Sequence, residues 1–97
     1  MNSLKEIKQA IQAHSEFMSE KYNVRTMGVF GSYVRGEQKL KSDVDILVEF
    51  NEPIGFFKFL ELEEYLGSIT GRKIDLVSKK ALKPRIGKRI LEEAVFL

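Results

Sequence analysis

Three aspartates and one Gly-Ser dipeptide are the residues of this chain best suited to chemistry. Asp43 and Asp45 open the run Asp43-Val44-Asp45-Ile46-Leu47-Val48-Glu49-Phe50, which alternates: Val44, Ile46, Val48 and Phe50 take one face and both aspartates the other. On an extended strand their Cα atoms lie roughly 6.6 Å apart, so their oxygens can converge on one cation or bridge two. Asp75, inside Lys73-Ile74-Asp75-Leu76-Val77, falls in a second strand-like run and can complete the set. Aspartate is disfavoured in strands unless something compensates, and crowded carboxylates raise one another's pKa unless a divalent cation neutralises them. The expected occupant is Mg2+ or Mn2+, in a two-metal arrangement with ions ~3.5–4 Å apart that serves in-line displacement at phosphorus.

Gly31-Ser32 supplies the complementary half. It stands where a strand ends and a helical turn can begin, so that glycine allows close backbone approach while N–H groups and the Ser32 hydroxyl hold phosphate oxygens. Ten residues separate it from the Asp-x-Asp pair, one phosphate holder followed by one metal holder.

The elements that must position these groups follow from periodicity. Ser3-Leu4-Lys5-Glu6 has the form of a capping box, and Leu4, Ile7, Ile11 and Met18 predict a helix from about 4 to 21. Val24 to Phe30 reads as a strand, and residues 43–50 as a second. Asn51-Glu52-Pro53-Ile54-Gly55 is turn chemistry, after which Phe59, Leu62, Leu66 and Ile69 mark the core stripe of a helix over about 56–70, stopped by Thr70-Gly71. Arg72 to Ser78 is a third strand, and about 80–95 is helical, interrupted or restarted at Pro84. The order α-β-β-α-β-α, with a short helical turn near Ser32, predicts an α+β fold: one small mixed sheet of about three strands, helices chiefly on one face and the other face free for chemistry.

Taken as a unit, Gly31-Ser32, the ten-residue spacer, Asp43-Val44-Asp45 and the downstream strand Asp75 resemble the signature of the DNA polymerase β-like nucleotidyltransferase superfamily. The form Gly31-Ser32-Tyr33-Val34-Arg35-Gly36-Glu37, the small size and Ala81-Leu82-Lys83-Pro84 resemble its minimal branch, the MNT antitoxins paired with HEPN ribonuclease toxins. The resemblance implies the nucleotidyltransferase fold, with Gly31 and Ser32 binding the β- and γ-phosphates of ATP. It implies that Asp43 and Asp45 ligate both metals, and that Asp75 ligates the catalytic metal and helps activate the attacking hydroxyl. The implied reaction moves AMP from ATP to a tyrosine hydroxyl of the HEPN toxin, with which the chain forms a hetero-oligomer, and pyrophosphate leaves. Larger members append a helical domain that helps hold base and acceptor; 97 residues leave no room for one, so a partner is expected to supply that wall. Two rival readings stand beside it: neutralisation of the partner by binding and occlusion, and nucleotidyl transfer to RNA ends or a small alcohol.

Composition agrees. Ninety-seven residues, 43% hydrophobic and 31% charged, describe one globular domain, 1–97, rather than a disordered or fibrous chain. Sixteen Lys and Arg against fourteen Asp and Glu leave +2, too little to argue for nucleic acid as a direct ligand, and no aromatics interleave the basic residues to stack bases. There is no cysteine and a single histidine, which excludes disulfides, a thiolate nucleophile and a histidine-rich metal centre within one chain. No apolar run spans a bilayer and Met1 to Glu6 lacks a signal-peptide core, so the expected location is cytoplasmic, without a membrane partner. His14 lies on the apolar stripe of the first helix and is read as packing; Arg35 and Glu37 are read equally as phosphate-loop support or a surface ion pair. Phe59 is assigned to the core, and for Phe56, Phe57 and Tyr65 core packing is preferred over exposure to a partner. Lys79, Lys80, Lys83, Arg85, Lys88 and Arg89 concentrate positive charge near the C-terminus, open to a solvated face, triphosphate attraction or docking on an acidic partner.

Overall fold

Ser3 caps the first helix as its spacing predicts: its hydroxyl accepts from the Glu6 N–H at 3.2 Å, and α1 runs Leu4–Ala13 with Ile7 and Ile11 buried. The computed structural model describes residues 3–97. The single helix expected over 4–21 is two. At His14 the backbone leaves the helical region (φ −114°, ψ 11°), and α2 runs Ser15–Tyr22. The imidazole Nδ1 lies 2.8 Å from the Ala10 carbonyl oxygen and the ring packs edge-on against Tyr65 at 5.9 Å, so His14 stabilises a bend rather than doing chemistry. The bend lets both short helices bury apolar residues, Met18 and Tyr22 joining Ile7 and Ile11.

After α2 come β1 (Val24–Phe30), α3 (Ser32–Arg35), β2 (Val44–Phe50), α4 (Phe56–Thr70), β3 (Ile74–Ser78), a 3-10 turn (Lys79–Ala81), α5 (Pro84–Glu93) and β4 (Val95–Phe96). The sheet is mixed, in the order β3-β2-β1-β4: β1 pairs antiparallel with β2 and β4, while β2 and β3 are parallel, joined by the α4 crossover. Four strands form where about three were expected. The helix predicted to reach 95 stops at Glu93, Ala94 turns extended (φ −60°, ψ 136°), and Val95 and Phe96 pair with Val29 and Gly28. An otherwise open edge of β1 supplies the backbone partners that draw these two β-formers out of helix, and Leu97 extends the pairing through a 2.9 Å bond to the Met27 carbonyl. At the opposite edge, the Leu76 N–H of β3 donates to the Glu63 carboxylate of α4 at 3.1 Å.

Val44, Ile46 and Val48 are buried and Phe50 is half-buried, as the alternation predicts, and they meet Leu62 and Leu66 of α4 with Ile7, Ile11, Met18 and Tyr22. Helices α1, α2 and α4 thus share one face of the sheet. The other face is not wholly bare. Leu47 and Phe30 are buried outside that core, on the face of Asp45, with which Phe30 is directly paired. Truncating Leu62, fully buried at the centre of the core, leaves a cavity that the sheet cannot collapse into. Leu62→Ala is expected to remove about 2–5 kcal/mol from a total of order 5–15, read as a lowered urea midpoint at unchanged slope.

Candidate active site

The turn at Gly31 is where sequence and backbone constrain each other most. Its φ of 79° lies in the left-handed half of conformational space, which side chains other than glycine rarely adopt. A Cβ built there would also overlap the Asp45 carboxylate at Oδ2. Gly31 is therefore required twice, by the turn and by the aspartate behind it. Its carbonyl starts α3 by accepting from the Val34 and Arg35 N–H groups at 3.1 and 3.2 Å, and Ser32 is the first residue of that turn. The spacer returns to β2 through a tight bend in which the Lys39 N–H donates to the Ser42 hydroxyl at 2.8 Å, while the Arg72 guanidinium bonds the Leu40 carbonyl.

Asp45 and Asp75 come together through the parallel register, which pairs them directly across β2 and β3. Asp43, expected on the strand, falls one residue before it, since β2 begins at Val44. Its charge still reaches Asp45. The Asp45 carboxyl is pushed up to about 6, first by burial, then by the charges of Asp75 and Asp43 and a hydrogen bond with Asp75, with Arg35 opposing. Among the described residues no group of three or more His, Cys, Asp or Glu side chains is placed so that it could hold a metal ion. The carboxylates repel one another across the register instead. The donors that do approach one another are carboxylate oxygens, the kind a hard divalent cation takes.

A group that sequence reasoning did not single out completes the site. Glu93, the last residue of α5, accepts the Gly31 N–H at 3.1 Å with one oxygen and the Arg35 guanidinium at 2.5 Å with the other. Burial pushes its carboxyl up, but Arg35 and the Gly31 N–H outweigh that and hold it below the usual carboxylate range. Arg35 bonds Glu37 as well, at 3.2 Å, so the local ion pair forms, and through Glu93 the same arginine is tied to the Gly31 turn. Gly31, Arg35 and Asp45 form one side of a cavity of about 340 Å3, and Ile86, Arg89, Ile90 and Glu93 of α5 form the other. The available signal was the spacing 86, 89, 90, 93 on a predicted helix, one face of two turns. A larger cavity, about 580 Å3 between α1, α2 and β1, contains none of these groups, and chemistry rather than size selects the site.

The mixed sheet, with its glycine turn and paired strand aspartates, has the fold of a minimal nucleotidyltransferase. The nucleotidyltransferase domain family matches residues 11–97, and the chain belongs to that family. It is 50% identical over 97 residues to protein adenylyltransferase MntA of Thermococcus cleftensis, covering 100% of this chain and 98% of that protein. Among solved structures, a minimal nucleotidyltransferase superposes with a TM-score of 0.84 at 30% identity, covering 98% of this chain and 96% of that one. A toxin-antitoxin complex solved with AMP-PNP shares the fold at a TM-score of 0.71 and 21% identity, over 95% of this chain and 69% of that one. The chain is thus a nucleotidyltransferase enzyme.

The raised Asp45 carboxyl has a consequence for stability. The folded chain holds this proton more tightly than the unfolded chain, so its contribution is full below about pH 4 and is lost as pH rises through about 6. Above that, a metal-free protein carries uncompensated repulsion. Asp45→Asn is expected to stabilise it at pH 7.5 by on the order of 1 kcal/mol, after allowing for solvent screening, and to flatten the fall in stability between pH 4 and 6. Urea midpoints of both proteins in EDTA across that range check this; a variant less stable than its parent at pH 7.5 contradicts it.

Proposed function

We propose that the chain, acting as one cytoplasmic domain, is a metal-dependent protein adenylyltransferase that moves AMP from ATP to a tyrosine hydroxyl of a HEPN ribonuclease toxin and so serves as its antitoxin. The observation that carries this reading is the register of Asp45 on Asp75 beside a glycine turn that closes on the Asp45 carboxylate. The relative named protein adenylyltransferase and the toxin-antitoxin fold neighbour support the acceptor class and the partner.

In this reading the Ser32 hydroxyl holds the β- and γ-phosphates beside Gly31, whose own N–H is taken by Glu93 and which serves by letting the backbone approach closely, and the α-phosphorus lies over the strand ends. Asp43 and Asp45 would hold two Mg2+ or Mn2+ ions, with Asp75 on the catalytic one; when bound, they neutralise charge on the phosphates and on the attacking and leaving oxygens. Asp75 orients the tyrosine hydroxyl and takes its proton. The tyrosine oxygen then bonds to the α-phosphorus, the bond from that phosphorus to the α,β-bridging oxygen breaks, and pyrophosphate departs. Crowding three carboxylates at one end of two strands disfavours the metal-free state, and this same feature favours uptake of cations.

Labelled ATP, Mg2+, this chain and a HEPN protein with which it forms a complex should give a labelled toxin, and Asp43→Ala, Asp45→Ala or EDTA should abolish labelling. Absence of label from a verified, folded pair overturns the reading, and label passing to RNA or a small alcohol without any protein partner replaces the acceptor. One feature favours a second reading, occlusion: Phe56 and Phe57 at the start of α4 are 69% and 84% exposed, apolar surface of the kind a partner covers. If Asp43→Asn/Asp45→Asn protects cells as well as the native protein, covering the toxin is sufficient.

A further inference from the structure

Helix α5 has no part in the reaction as described, yet it closes one side of the cavity at Asp45. Positions 86, 89, 90 and 93 recur at i, i+3, i+4 and i+7, so Ile86, Arg89, Ile90 and Glu93 lie along one stripe, and all four line that cavity opposite Gly31, Arg35 and Asp45. Glu93 fastens the stripe to the glycine turn, one oxygen on the Gly31 N–H and the other on Arg35. Arg89 stands one turn earlier. It is exposed and, among the described residues, forms no ion pair within 4.0 Å, while the neighbouring Glu93 already has its charge-bearing partner in Arg35. Arg85 and Lys88 belong to the same helix but do not line the cavity.

We propose that α5 is the nucleotide-facing wall of the site, in which Arg89 binds the triphosphate of ATP across the cavity from Gly31 and Glu93 is the positioning residue that holds the helix at that distance. This rests on the nucleotidyl-transfer reading and deepens it. A guanidinium presents a rigid planar fork that pairs two phosphate oxygens, which suits the long anionic tail of ATP better than its base. Ile86, 59% exposed, and Ile90 add an apolar rail on the same stripe, suited to the base or ribose. A wall that the sequence reading left to a partner is thereby provided in part by this chain.

Calorimetric titration with AMP-PNP and with AMP, each with Mg2+, tests this without reference to any acceptor. Arg89→Gln should weaken AMP-PNP binding by about ten- to a hundred-fold, the range for losing a charge-assisted hydrogen-bond pair, and AMP binding much less. Arg89→Lys should recover part of the loss. Lys88→Gln, an equal change of charge one residue away, should bind as the native protein does. Glu93→Gln keeps an acceptor for Gly31 but loses the ion pair with Arg35; in that background the further cost of Arg89→Gln should shrink, whereas a purely stabilising Glu93 would leave that cost unchanged. Equal losses from Arg89→Gln and Lys88→Gln, or native binding by Arg89→Gln, overturn the proposal while leaving nucleotidyl transfer intact. Failure of the native, folded protein to bind AMP-PNP sinks both.

Discussion

The contact between the end of β1 and the Asp45 carboxylate is the constraint on which the rest of the site depends. Gly31 turns directly over that carboxylate, in a conformation and a space that only glycine satisfies. Two registers bring those atoms together: the antiparallel one that pairs Phe30 with Asp45, and the parallel one that pairs Asp45 with Asp75. Neither register could slip by one residue without sending Asp45 to the apolar face, where Val44 and Ile46 are fully buried. The large apolar face thus holds the small acidic one in place.

Charge is balanced across the site in a graded way. Asp45, raised first by burial, then by its two aspartate neighbours, and only partly relieved by Arg35, is driven toward its neutral form. Glu93, on the far side of the same arginine and bonded to a backbone N–H, is held ionised. Two carboxylates close to one guanidinium consequently behave in opposite ways because one sits among like charges and the other among donors. The first arrangement concentrates negative charge at the strand ends; the second fixes the turn beside it. Arg35 links the two, and its position on the four-residue α3 makes that short helix an electrostatic joint as well as a change of direction.

Local patterns in the sequence were read correctly where a local cause decides the outcome. Ser3 caps α1, the alternation of β2 buries Val44, Ile46 and Val48, and α4 spans Phe56–Thr70 with Leu62 and Leu66 inward. Departures arose where a distant element intervened. The break at His14 allows α1 and α2 to follow the sheet, and Val95-Phe96 leaves helix because β1 offers an open edge. Leu47 lies buried on the face of the aspartates, which alternation alone had left to solvent. Glu93 escaped notice because its partners, Gly31 and Arg35, are about sixty residues away in the chain, and nothing in a helical run of charges distinguishes a clamp from a solvated side chain.

Residue type and spacing by themselves determined the family resemblance: glycine beside serine, two aspartates two apart and a third in a later strand form a nucleotidyltransferase signature, and the chain belongs to that family. They determined too which faces of β2 and α4 are apolar, since period is a local property of the backbone. Only the tertiary structure decided that Asp75 stands level with Asp45, that Gly31 closes on a carboxylate and that α5 folds over the same cavity. Register and long-range closure depend on which surfaces are left to pair once the core is full, and that is a property of the whole chain rather than of any segment.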